Sequence, residues 1–198
     1  MSLPDILAFA LFAFVSSITP GPNNLMLLAS GASFGLRRTV PHMLGVAVGF
    51  GAMLLALGAG LAELYRALPW AQLALKIAGS AYLLWLAWRI ATARPDIDPS
   101  KSTGRPFRFI EAAAFQWVNP KAWTMALTAL AVYAGGGDWA AVLAVAAIFT
   151  AINLPCVLSW AALGTGMARV LGDPVAVRRI NLALAALLVL SLIPILRA

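Results

Sequence analysis

Charge is what this chain of 198 residues has least of. Only 11% of it is Asp, Glu, Lys or Arg and 62% is hydrophobic, where an average soluble domain is about 25% charged. With a mean hydropathy of +0.90 it has too few polar side chains to cover a water-facing surface, which excludes a soluble globular protein. Cys156 is the only cysteine, so no bridge can form within the chain and a disulfide scaffold is excluded too. His42 is the only histidine, which leaves no histidine-based metal cluster. The seven acidic residues, Asp5, Glu63, Asp96, Asp98, Glu111, Asp138 and Asp173, all fall at the ends of apolar runs or between them. No carboxylate at mid-membrane depth is therefore available to bind a divalent cation or to neutralise a cationic side chain. That argues against metal transport and against export of strongly basic solutes. A serine hydrolase needs a serine within reach of a base, yet His42 sits at the start of an apolar run and Ser159 has no identifiable partner. No phosphate-cradling loop or ATPase domain is present. The expectation is a protein that is not an enzyme, takes no cofactor, and draws any active transport from an ion gradient.

What the chain does have is long apolar runs. Six segments, near 6–33, 40–62, 69–93, 109–135, 139–167 and 177–196, are bounded by charge or by Pro and Gly. Membrane β-strands need alternating segments of about ten residues, which these unbroken runs are not. Backbone groups in lipid must be satisfied within the segment, so helices follow. The fold class expected is an all-α integral membrane protein with six transmembrane helices. The amino terminus lacks a basic flank and carries Asp5, so it reads as a first span and not as a cleaved signal. The stretch Pro95–Pro106 is the only sizeable polar linker. It divides one membrane domain, 1–198, into a first three-helix half (1–94), a linker (95–108) and a second three-helix half (109–198). Three is odd, so two similar halves would lie upside down relative to each other, as inverted repeats. Pro20 and Pro120 interrupt the first span of each half, and Lys76-Ile77 and Arg179-Ile180 open the third.

The net charge of +7 does not indicate nucleic acid, because no run of five like charges exists. Ten of the fourteen basic residues occupy alternate gaps: Arg37 and Arg38; Arg89, Arg94, Lys101, Arg105 and Arg108; Arg169, Arg178 and Arg179. The opposite gaps hold Arg66 and Arg197. This bias predicts that the basic loops face the cytoplasm and that both termini lie outside. Partners are then the lipid bilayer and a small solute. A homo-oligomer is left open. Tyr65, Trp70, Tyr133 and Trp139 flank the outer gaps and are expected to form an interfacial belt.

Two motifs carry chemistry. In Thr19-Pro20-Gly21-Pro22-Asn23-Asn24, neither proline donates a backbone hydrogen bond, so the carbonyls of Ser16 and Ile18 lose their helical partners. Gly21 permits a non-helical backbone, and Pro22 suits the first position of a restarted helix whose early N–H groups, including those of Asn23 and Asn24, are exposed. In Asn119-Pro120-Lys121, Asn is a preferred N-cap and Pro a preferred first residue, which predicts a second helix start at mid-membrane depth. A lysine at that depth costs about 2.5–3.5 kcal/mol on insertion scales. With no acidic partner in view, Lys121 is either deprotonated by desolvation or meets its counter-charge on the substrate. Asn153 and Pro155 are candidates for a further kink facing the same cavity. Gly31-x-x-x-Gly35 and Gly45-x-x-x-Gly49 read as close helix contacts, and Asn181 as a cap or packing residue.

With these residues in view, the chain resembles the LysE/RhtB family of bacterial amino-acid exporters. The resemblance rests on Thr19-Pro20-Gly21-Pro22-Asn23 and Asn119-Pro120-Lys121-Ala122, with Gly35-Leu36-Arg37-Arg38, Gly45, Gly49 and Gly79-Ser80-Ala81-Tyr82-Leu83 in support. Thr39-Val40-Pro41-His42 departs from the commoner glycine-containing pattern after the arginine pair. The resemblance implies a small inner-membrane secondary transporter that exports a neutral or zwitterionic amino acid or close derivative on the proton gradient. The expected substrate-binding residues are Pro20, Gly21, Pro22, Asn23, Asn24, Asn119, Pro120, Lys121 and Asn153, with Lys121 as carboxylate partner or proton-coupling group. A passive channel built on the same broken helices is the alternative, and a non-transporting scaffold would leave Asn119-Pro120-Lys121 unexplained.

Overall fold

A computed structural model describes residues 2–92, 105–135, 138–171, 174–190 and 192–193. Most of the linker 95–108, with Asp96, Asp98 and Lys101, lies outside the described residues, as do Arg94, Asp173 and Arg197. The described elements are all helical: α1 (Leu3–Ile18), α2 (Pro22–Ala56) continuing through a π-turn to Leu61, α3 (Ala62–Ala67), α4 (Pro69–Thr92), α5 (Phe109–Phe115), α6 (Pro120–Tyr133), α7 (Trp139–Leu171) and α8 (Pro174–Leu190). Among the described residues, three stretches are long and apolar enough to cross a membrane, Pro22–Leu61, Pro69–Thr92 and Trp139–Ala168, and Leu3–Ile18 is a shorter apolar helix.

The 40 residues of Pro22–Leu61 do not form one rod. At Gly35 the backbone takes φ 76° and ψ 164°, a left-handed region open to glycine and closed to most side chains. Nine residues of straight helix rise about 13.5 Å, yet Ser30 Oγ and Thr39 Oγ1 are 3.1 Å apart, so the chain folds back on itself at Gly35. Arg37 and Arg38 follow at the bend. α2 is thus two arms, one before Gly35 and one after it. The apolar runs read from the sequence fall in α1 with the first arm, the second arm, α4, α5 with α6, α7, and α8, as far as their residues are described.

Small residues let backbones touch, which is how helices associate where water cannot drive them together. A Cβ on Gly31 would lie 2.1 Å from the Ala161 carbonyl oxygen, and one on Gly164 would lie 2.0 Å from that of Leu28, so the first arm of α2 and α7 are in backbone contact. Gly45 and Gly49 play the same part for the second arm, against Phe109 and Ala113 of α5. Of the two small-residue pairs, Gly45/Gly49 is a packing face as expected. Gly31 and Gly35 divide the work between a contact and a bend. α7 runs unbroken through Pro155.

Apolar clusters hold the arms, and in one of them Leu27 of the first arm joins Met43 and Val46 of the second, with Val157 and Ala161 of α7. Phe9, Phe50, Phe149 and Tyr133 form an aromatic cluster, with ring centroids 4.6 Å apart for Phe50–Phe149 and 4.8 Å for Phe9–Tyr133. Leu25 and Leu28 of the first arm pack with Leu83, Leu86, Leu184 and Leu188 of α4 and α8. Of the expected belt, Trp70 and Trp139 are exposed. Tyr65 stacks on Trp123 at 4.2 Å and Tyr133 joins the Phe9 cluster, so those two rings are spent on packing. At the start of α1, Ser2 and Asp5 form a capping box. The Ser2 hydroxyl bond holds the Asp5 carboxyl below the usual carboxylate range.

Candidate functional site at two helix breaks

Both breaks read from the sequence are present. α1 stops at Ile18, Thr19 and Gly21 are extended, and α2 restarts at Pro22 with no side-chain cap. On the other side α5 passes through one 3-10 turn, Gln116–Val118, before Asn119 breaks the helix and Pro120 restarts it as α6. Asn119 is 2% exposed, and its Oδ1 accepts from the backbone N–H of Lys121 at 3.1 Å, the N-cap bond expected of it.

The carbonyls that the break leaves without helical partners at the end of α1 set the geometry. Buried polar groups must be satisfied, and here the partners come from across the fold. The Ser17 carbonyl accepts from Asn24 Nδ2 at 2.7 Å and the Ile18 carbonyl from Trp160 Nε1 of α7 at 3.1 Å. The Thr19 carbonyl accepts from Asn24 Nδ2 at 2.8 Å and from Lys121 Nζ at 2.7 Å, and the Pro20 carbonyl lies 3.4 Å from Lys121 Nζ. The Thr19 hydroxyl bonds back to Val15 and to Ser16. The partner of Lys121 is therefore neither an acidic side chain nor a vacancy. It is the negative end of a half-helix, where a cation is favoured. Sequence reasoning looked for a carboxylate and missed it, because the partner is backbone.

Gly21 makes room for this reach. A Cβ there would stand 2.7 Å from Lys121 Cδ and 3.1 Å from Nζ. Gly21→Ala is expected to fold, since only the end of a flexible side chain has to move, and to push Lys121 off its carbonyls. In the reconstituted protein the efflux rate should fall severalfold while the melting temperature stays within about 4 °C, under about 2 kcal/mol at this size. Equal losses of both would show a packing role only.

Beside Lys121 lies a small polar cavity. Gly21, Asn23, Asn24, Asn119, Lys121 and Asn153 of the residues singled out from the sequence all line it. Pro20 contributes its carbonyl to Lys121, whereas Pro22 and Pro120 start their half-helices and do not line the cavity. Asn24 has its amide donor committed to the end of α1, so it acts as a staple. Asn153 is buried and faces the cavity with no hydrogen-bond partner among the described residues. Gln116 was overlooked. It is fully buried, and its Oε1 accepts from Asn23 Nδ2 at 2.8 Å while its Nε2 donates to the Ala112 carbonyl at 2.8 Å. A glutamine in an apolar run three residues before Asn119 was the available signal. The cavity volume is about 30 Å³, and a water needs about 10–15 Å³ on that measure. In this conformation it holds a water or two and not a larger solute.

The sequence comparisons bear on this pair of breaks. The family model of the LysE type translocator matches residues 14–192, which takes in both. The chain belongs to the LysE type translocator family. Relatives of this LysE-type chain include the cysteine/O-acetylserine efflux proteins of Escherichia coli (strain K12) and of Shigella flexneri serotype 5b (strain 8401). Each is 35% identical over 130 residues, 64% of this chain and 64% of the relative. The match thus spans a little under two thirds of those relatives. No solved structure matches. The family describes translocators and not enzymes, and the apolar helices described above accord with a membrane protein.

Proposed function

We propose that this chain is a secondary transporter that exports a small neutral or zwitterionic amino acid, or a close derivative, across the bacterial inner membrane on the proton gradient. The observation that carries the reading is the bond from Lys121 Nζ to the Thr19 carbonyl at 2.7 Å, which ties one helix break to the other beside a polar cavity. Transporters place solute sites between broken helices at mid-membrane depth, with half-helix ends aimed at the charged groups of the solute. The relatives' names support a solute of the size of cysteine or O-acetylserine.

In this reading six spans form two inverted halves, 1–94 and 109–198, joined by a cytoplasmic linker, with both termini outside. Gly21, Asn23, Asn119, Lys121 and Asn153 bind the solute, and Pro20, Pro22, Asn24 and Pro120 shape the breaks. The solute carboxylate takes Lys121 from the α1 carbonyls. That exchange releases α1 from α6 and lets the two halves rock apart around the site. Lys121 also carries the coupling proton, because loss of its charge removes its attraction to the end of α1.

The test is efflux from proteoliposomes loaded with L-cysteine under reducing conditions or with O-acetylserine. Efflux is expected to rise severalfold when an opposing proton gradient is imposed. Efflux that ignores the gradient would mark a passive pore, and no efflux of either solute would remove the amino-acid reading.

A further inference from the structure

A second cavity, of about 100 Å³, lies away from the helix breaks. It is lined by the first arm of α2, by His42 just past the Gly35 bend, by α4, by the segment leading into α5, and by Asn181 of α8. Its floor is polar in an unusual way. His42 and Asn181 are each 1% exposed, and neither ring nitrogen of His42 nor Oδ1 of Asn181 has a hydrogen-bond partner among the described residues. Native proteins rarely leave such groups alone, and each instance calls for a reason. The sequence places His42 at the start of an apolar run and reads Asn181 as a cap or packing residue, and the fold brings both to one cavity.

Hydrogen-bond arithmetic indicates what would satisfy them. A neutral imidazole offers one N–H and one lone pair, and an amide oxygen offers only an acceptor. The missing partner must therefore both donate and accept. The mouth adds charge: Arg89 and Arg105 line it and are exposed. Arg105 is already bound by Glu111 through two bonds of 2.7 and 2.5 Å, so Arg89, whose guanidinium lies over the Trp85 ring at 5.1 Å, is the cation of the two left to meet a ligand. Met26, Leu86, Ile90 and Phe107 add an apolar part to the wall, and Ser30 and Ser33 add two hydroxyls.

We propose that this cavity binds the exported solute, a small zwitterion with an ammonium and a carboxylate, at a staging site on the cytoplasmic side of the helix breaks. The ammonium donates to Asn181 Oδ1 and to the lone pair of His42, and the carboxylate lies between the His42 N–H and Arg89. Its route onward is one stripe of α2. Asn23 lines the central cavity and Met26, Ser30 and Ser33 line this one, at intervals that keep all four on one helix face. At about 100 Å³ against about 30 Å³, the outer cavity has room for the solute while the central one is shut. The cytoplasmic placement and the identity of the solute rest on the exporter reading above. The hydrogen-bonding demand does not.

The experiment is equilibrium binding of radiolabelled L-cysteine, under reducing conditions, to the full-length protein in nanodiscs. Lys121→Gln, which disables the central site, is expected to retain saturable binding of one L-cysteine per chain. Adding Asn181→Leu or His42→Phe should weaken it more than tenfold. Each of those two changes alone should raise the melting temperature, because an orphaned buried polar group is removed. A merely structural role would lower it. Cysteamine, which lacks the carboxylate, and 3-mercaptopropionate, which lacks the ammonium, should compete at least tenfold less well than L-serine. Lys121→Gln protein that binds no L-cysteine, or binds it equally with Asn181→Leu added, overturns the site, and effective competition by 3-mercaptopropionate overturns the zwitterion. Wild-type protein that moves no amino acid in proteoliposomes overturns the exporter reading, while Asn181-dependent binding would still establish this site.

Discussion

Lys121→Gln is expected to cut export by about 10- to 100-fold with the protein still inserted and folded. A charged hydrogen bond contributes about 1.5–3 kcal/mol, and 1.4 kcal/mol is tenfold. Glutamine keeps a donor near the Thr19 carbonyl but lacks both the charge and the length to reach Pro20 as well. Two attractions disappear together: the one that ties α6 to the C-terminal end of α1, and the one that would hold a solute carboxylate. Lys121→Arg should not restore the rate, because the planar guanidinium is bulkier than the ammonium that lies across Gly21. The measurement is the initial efflux rate from proteoliposomes at matched protein content, with size-exclusion profiles as the folding check. A Lys121→Gln rate within twofold of wild type would remove Lys121 from the site.

What was legible in the sequence, and what was not, follows from how far each interaction reaches along the chain. Pro20, Pro22, Asn119 and Pro120 act on their own backbone within one turn, so both breaks, the N-cap of α6 and the stranded Ile18 carbonyl could be read from spacing alone, whereas the Ser17 and Thr19 carbonyls were not singled out. Membrane class was equally plain, because it needs only a scarcity of charge. The partners that satisfy those carbonyls were not legible. Trp160 reaches Ile18 across 142 residues and Gln116 meets Asn23 across 93, and such pairings are fixed by packing. Glycines show the same divide. Gly31-x-x-x-Gly35 looked like one packing motif, yet only a positive φ, set by the fold-back of α2, tells that Gly35 is a bend and Gly31 a contact. The burial of His42 follows the same divide. Its position in an apolar run is local, whereas its burial depends on packing that brings Phe107 to 5.2 Å by ring centroid.

That crossing of the first arm of α2 with α7 should be the least tolerant place in the molecule. In Gly31→Ala the new methyl would meet the Ala161 carbonyl oxygen at 2.1 Å, and in Gly164→Ala the Leu28 carbonyl oxygen at 2.0 Å. Both obstacles are backbone, so neither can swing aside as a lysine tip does. The helices must separate, and overpacking of this kind costs about 1–3 kcal/mol or more. A chain of this size loses about 2–4 °C of melting temperature per kcal/mol, so each variant should melt several degrees lower. The two glycines serve one contact, so the double variant should lose less than the sum of the singles. Gly166→Ala on the same helix meets nothing within 4 Å and should melt like wild type. The functional loss should be larger than the thermal one. The first arm carries Asn23 and α7 carries Asn153 and Trp160, so prying them apart spreads the cavity and withdraws the Trp160 donor from Ile18, 3.1 Å away. Melting curves of Gly31→Ala and Gly164→Ala that overlay the Gly166→Ala curve would show that these helices are not in backbone contact.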